Sequence, residues 1–94
     1  MSDIVWTDEG LANITYLQEC VTLEAILQKD KWGIQSRSPF EWMVYLMEEV
    51  GELSEAVSEK VYRKGRNIYI RNEAIQVATL ALKIAEMAQG DSDE

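Results

Sequence analysis

The 94-residue chain contains no histidine. That absence removes imidazole as a general base. It also removes the HExxH zinc pattern and the ExxH ligands of di-iron carboxylate bundles. A single cysteine, Cys20, leaves no intrachain disulfide to be made, which fits a reducing cytoplasm. Cys20 lies beside Leu17, Val21 and Leu23 and reads as packing. One proline and five glycines leave long stretches without a helix breaker. Basic residues are scarce: nine Lys and Arg against seventeen Asp and Glu give a formal net charge of −8. Such a surface does not seek nucleic acid backbone or anionic membrane, and it suits a site that concentrates a divalent cation. No apolar run approaches the length of a membrane span, and no signal peptide is visible. Apolar residues still make up 47% of the chain, enough for one folded domain over residues 1–94 with a small core.

The pattern is helical throughout, and the expected fold class is all-α. Thr7, Asp8 and Glu9 supply an N-cap and an acidic first turn for a helix over 7–30. Its apolar residues form two groups: Leu11, Ile14, Leu17 and Val21, and Tyr16, Cys20, Leu23 and Leu27. A helix apolar on two sides needs two partners, which predicts a subunit interface and a homodimer or homotetramer. Lys31 to Arg37 reads as a loop stopped by Gly33. Ser38-Pro39-Phe40-Glu41 then combines an N-cap, a proline at the first helical position and a capping box. The second helix runs over 38–62 and ends in the basic turn Arg63-Lys64-Gly65-Arg66-Asn67, with Asn67 as an N-cap for the third. The third helix runs over 68–88, and an acidic tail, 90–94, frays beyond it.

The carboxylates divide by direction. On a wheel of about 100° per residue, Trp42, Leu46, Val50, Leu53 and Val57 form the apolar arc of the second helix. Glu48, Glu55 and Glu59 lie opposite, as solvated residues do. Glu49 borders the arc, and Glu52 neighbours it one turn on. In the third helix, Glu73 falls inside an apolar surface of Ile70, Ala74, Val77, Ala78, Leu80, Ala81, Ile84 and Ala85. A carboxylate there must be paired or metal-bound. One reading is a buried ion pair with an arginine of the basic turn. The other brings Glu49, Glu52 and Glu73 together from two antiparallel helices. That arrangement is a hard oxygen cage suited to Mg²⁺ or Mn²⁺, with positions left for phosphate oxygens.

These residues also carry a family likeness. Glu48-Glu49-Val50-Gly51-Glu52 resembles the EExxE motif of the MazG-like all-α nucleoside triphosphate pyrophosphohydrolases. Glu73-Ala74-Ile75-Gln76 stands where that family has ExxD. The KWGIQ segment and the SPFEW helix start also resemble the family's approach to its motif, and the likeness covers roughly residues 10 to 88. It implies metal ligation by Glu49, Glu52 and Glu73, with Gln76 at the fourth ligand position, where the family's Asp is replaced by an uncharged amide. It implies Glu48 or Glu52 as the base acting on water, and hydrolysis of a nucleoside triphosphate to monophosphate and pyrophosphate. Lys83 and Arg63 are candidates to neutralise phosphate charge. Trp32 and Gln35 are candidates to hold the base, with Trp6, Phe40, Tyr62 and Tyr69 as alternatives. Lys64 and Arg66 serve equally well as dipole-complementing residues at a helix end. The departure at Gln76 keeps a different class open: a helical nucleotide-binding or protein-interaction module without turnover.

Overall fold

The computed structural model describes residues 7–90, all-α, as three helices: α1 (Asp8–Trp32), α2 (Pro39–Arg63) and α3 (Asn67–Gly90). The lead before Thr7, with Trp6, the acidic tail beyond Gly90 and the side chains of Glu9, Leu11 and Ala12 lie outside the described residues.

The caps explain the boundaries. Thr7 Oγ1 accepts the Gly10 N–H at 2.9 Å and opens α1. The helix continues two residues past the expected end, so Lys31 and Trp32 are helical rather than loop residues. Basic side chains suit a last turn, and the first residue that departs is Gly33, at φ 76°. Its N–H turns back to the Lys29 carbonyl at 2.7 Å. The capping box of α2 is present in both halves. Ser38 Oγ accepts from the Glu41 N–H at 3.2 Å, and Glu41 Oε1 accepts from the Ser38 N–H at 2.9 Å.

The basic turn uses its residues differently from the sequence reading. The left-handed residue is Lys64 (φ 61°, ψ 33°). Gly65 is needed for closeness: its N–H reaches the Glu59 carbonyl at 2.8 Å, and a Cβ there would lie 2.9 Å from the Glu59 carbonyl carbon. Asn67 is the first residue of α3 rather than its cap, and the Tyr69 N–H bonds to the Arg66 carbonyl at 3.1 Å.

α3 is the central element. Both α1 and α2 pack on it, α2 the more extensively, and α1 and α2 make no close backbone approach to each other. α1 offers α3 the ridge Ile14, Leu17, Val21, Glu24 and Gln28, an i, i+3/i+4 spacing that keeps one face inward. α2 turns in Trp42, Tyr45, Leu46, Glu49, Leu53 and Ala56, leaving Val50 and Val57 of the expected arc on the surface. The reason is that α2 is apolar on two sides, so apolarity alone does not select the packed one. Val21, Trp42, Thr79 and Leu80 are buried. The Thr79 hydroxyl is satisfied by the Ile75 carbonyl at 2.8 Å, and Trp42 meets the Tyr45 ring edge-on at 6.2 Å. Cys20 is half-buried, and its sulfur accepts a hydrogen bond from Arg71 Nη2 at 3.1 Å, so it joins α1 to α3 by a polar contact as well as by packing.

Much apolar surface is left over. The chain exposes 7735 Å², against about 5,500 Å² for a compact monomer of its mass. Its radius of gyration is 15.2 Å, against about 12 Å for a compact domain of its length. Tyr16, Leu23 and Leu27 stay uncovered on α1, and Met43, Met47, Val50, Val57 and Val61 on α2. No described helix is long and apolar enough to cross a membrane.

Candidate metal centre

Glu49 sits in the inward ridge of α2, Glu52 follows one turn later at the rim, and Glu73 faces them from α3. One carboxylate oxygen from each of the three lies within 4.8 Å of the other two. Glu49 and Glu73 are half-buried and Glu52 is exposed. The Oε2 atoms of Glu49 and Glu73 are buried and have no hydrogen-bond partner. A buried acceptor without a partner loses its hydration with nothing in return, so these two oxygens suit a shared proton or a positive charge.

The electrostatics agree. Burial pushes the Glu49 carboxyl up to about 7, helped by the Glu73 carboxyl beside it and by the charge of Glu52. Burial also raises Glu73, and Glu52 adds to the rise while a hydrogen bond with Glu49 opposes it. Like charges brought together in a half-buried place hold on to protons until a cation replaces them.

The alternative reading, an ion pair between Glu73 and an arginine of the basic turn, is not found among the described residues. The ion pairs among the described residues are Arg37–Glu41 at 4.0 Å and Arg63–Glu59 at 3.2 Å. Arg63 is drawn to Glu59 because the two stand at i, i+4 on one helix, where a pair forms with no chain closure. Arg66 lines the same small cavity as Glu52 and Glu73, together with Tyr69, Ala56 and Gly65, in a volume of about 230 Å³.

The other sequence-selected residues are spread more widely. Glu48 is exposed, outside the three-carboxylate cluster. Gln35 and Lys83 line a larger cavity of about 520 Å³ with Trp42, Val21, Thr79 and Leu80. Trp32 ends α1 with its ring exposed, and the Lys31 ammonium lies over it at 4.8 Å. Phe40 and Tyr62 are also exposed. Gln76 is half-buried, and its Oε1 accepts from Gln28 Nε2 at 2.8 Å. The same Gln28 nitrogen donates to Glu24 Oε2 at 3.0 Å. Gln28 and Glu24 were not picked out from the sequence. The signal available was positional: they continue the Ile14, Leu17, Val21 ridge, where polar residues are out of place unless they have partners.

Comparison with protein-family models, with curated proteins and with solved structures gives no match for this chain. The chemistry of the site therefore rests on its own donors: three carboxylates from two helices, two of which line the smaller cavity.

Proposed function

We propose that this chain is a cytoplasmic nucleoside triphosphate pyrophosphohydrolase of the MazG-like kind, dependent on Mg²⁺ or Mn²⁺. The observation that carries the reading is the convergence of Glu49, Glu52 and Glu73, whose half-buried members have no basic side chain paired to them among the described residues. An all-carboxylate set is the donor chemistry that hard divalent cations prefer, and so few protein ligands leave positions for substrate phosphates. When bound, the cation would polarise phosphoryl oxygens and acidify a neighbouring water. Glu49, Glu52 and Glu73 are the residues that would hold it.

The chain's own groups do the rest. Glu52, at the exposed rim, or Glu48 beside it takes the proton from the attacking water, since no histidine is available. Oxygen from that water bonds to the phosphorus nearest the sugar, and the bond to the bridging oxygen breaks. Pyrophosphate leaves, and the nucleoside monophosphate remains. Lys83, Gln35 and Trp42 wall the larger cavity, the space proposed for the rest of the nucleotide. Arg63 joins only by leaving Glu59.

The uncovered faces of α1 and α2 support a further part of the proposal. A second copy of the chain completes an antiparallel bundle, giving a homodimer or homotetramer. One observation favours a non-catalytic nucleotide-binding or interaction module instead: Gln76, uncharged where the family has Asp, turns its amide oxygen to Gln28 of α1. Pyrophosphate release from a panel of ribo- and deoxynucleoside triphosphates, with Mg²⁺ and with Mn²⁺, separates the two. Metal-dependent release supports the enzyme, and saturable nucleotide binding without release supports the module.

A further inference from the structure

We infer that the outer face of α2 is the centre of the contact with a second copy of this chain, and that the two α2 helices meet there antiparallel, about a two-fold axis beside Gly51. This rests on the second copy proposed above and not on the enzymatic reading.

Spacing defines the face. Met43, Met47, Val50, Ser54, Val57 and Val61 follow one another in steps of four, three, four, three and four. That alternation averages about 3.5 residues, the period of a seam that stays against a partner helix. Exposure rises away from the ridge that packs on α3: Val50 and Val57 are 37% exposed, Val61 53% and Met47 58%. Val44, Gly51 and Ser58 run beside the stripe and are exposed as well. Every charged residue of α2 lies off this face. A helix side that meets water along its whole length is ordinarily polar and charged. Here it is apolar or small from end to end, which fits burial by another chain.

Gly51 adds a feature that the chain's own fold does not explain. A glycine inside a helix costs stability. Its φ is not positive, and a Cβ there would meet nothing within 4 Å. Neither its backbone conformation nor the packing of this chain calls for it, whereas close approach of a second backbone does. The amount of surface also fits a second copy. The chain exposes about 2,200 Å² more than a compact monomer of its mass, and obligate homodimers remove roughly 1,000–2,500 Å² from each copy.

Direction follows from size and charge. The steps of the stripe read the same from either end, as a two-fold contact requires. Antiparallel, Met47 stands opposite Val57 of the second copy, Met43 opposite Val61 and Val50 opposite Ser54. Each longer side chain then faces a shorter one, and the two Gly51 backbones lie side by side. Parallel pairing would set methionine on methionine at one end and Ser54 on Ser54 in the middle. The antiparallel sense also brings the basic last turn of α2, with Lys60 and Arg63, beside the acidic first turn of the other, with Glu41, and it opposes the helix dipoles.

Two experiments on the full chain test this. The first is disulfide trapping in a Cys20→Ser background, where the serine oxygen still accepts from Arg71. Residues 47 and 57 are about 15 Å apart along one helix, too far to bridge within a chain. Met47→Cys with Val57→Cys should give a covalent dimer under mild oxidation, and neither single variant should. A single variant that cross-links would make the seam parallel and overturn the stated direction. The second is sedimentation at micromolar concentration. Met47→Glu with Ser54→Glu puts charges into an apolar seam and should raise the dimer dissociation constant on the order of a hundredfold or more. Gly51→Ala should raise it about tenfold, although helix propensity alone favours the alanine. An unchanged constant in either variant overturns the inference. Should the Glu variant fail to fold, trapping of the cysteine pair decides. An oligomeric wild type whose cysteine pair does not trap overturns this seam alone. A wild type that stays monomeric overturns the second-copy reading with it. Metal and nucleotide enter neither experiment, so the enzymatic reading still stands or falls on pyrophosphate release.

Discussion

Replacing Glu49 by Gln removes a charge from the cluster while keeping the shape of the side chain. In the metal-free protein, Glu49 is protonated up to about pH 7 because burial and the Glu73 and Glu52 carboxyls raise it from 4.5. The folded chain therefore holds a proton that the unfolded chain has already lost. Stability from this group is fully present below pH 4.5 and is lost as pH rises toward 7. At about 1.36 kcal/mol per unit, the full rise corresponds to about 3 kcal/mol. Glu52 opens the cluster to solvent, and screening there reduces the expectation to about 1 kcal/mol. For a domain of this length that is about 4–8 °C in Tm. Calorimetric melts in EDTA at pH 5, 6, 7 and 8, at one protein concentration, measure it. The wild type should lose about that much between pH 5 and 8. Glu49→Gln should lose less than half as much, and it retains some slope because burial raises Glu73 in the same sense. Parallel curves for the two proteins would refute the reasoning. So would a variant that is much weaker at every pH, because that would mean the carboxylate makes a favourable contact in the metal-free fold.

Other expectations follow from the same geometry. Mg²⁺ or Mn²⁺ should raise Tm more at pH 8 than at pH 6, since protons compete for the cluster; Glu73→Gln should abolish both that rise and any pyrophosphate release, without lowering the metal-free Tm. Lys64→Gly should stabilise by about 0.5–1 kcal/mol, because the left-handed residue of the turn carries a side chain, whereas Gly65→Ala should destabilise by at least that much through the clash at Glu59; urea titration reads both. Sedimentation should find an oligomer at micromolar concentration, and Leu23→Glu with Leu27→Glu on the uncovered α1 face should shift it to monomer; a stable wild-type monomer would remove the interface proposal.

The helices and their caps were legible because the signals are local. Ser38 and Glu41 lie three residues apart, and their capping box needs nothing from the rest of the chain. The meeting of Glu49, Glu52 and Glu73 was legible because each lies on or beside a packed face, so the wheel alone brings them to a shared seam. The side of α2 that packs was less so: Val50 and Val57 are as apolar as Leu53, and only the partner helix decides among them. The fate of Gln76 was not legible, because it depends on Gln28, 48 residues away. The identity of a hydrogen-bond partner across that separation is set by how α1 is laid on α3. The inner geometry of the turn was hidden for a related reason. Either Lys64 or Gly65 satisfies a basic helix end, and the closeness of the Glu59 carbonyl, a three-dimensional fact, is what reserves the glycine.

The arrangement of α1 has a dynamic consequence. Since the backbone of α1 comes close to α3 and not to α2, its main seam is with α3, whereas the α2–α3 hairpin is held by both its seam and its short turn. The cheapest partial opening of this protein is therefore the lifting of α1 as a unit, with the hairpin and its three carboxylates left standing. Amide exchange should be fastest along α1 for that reason. A helix released this way, tethered only by residues 33–38, is also free to lie on the α3 of a neighbouring copy and exchange places with its counterpart.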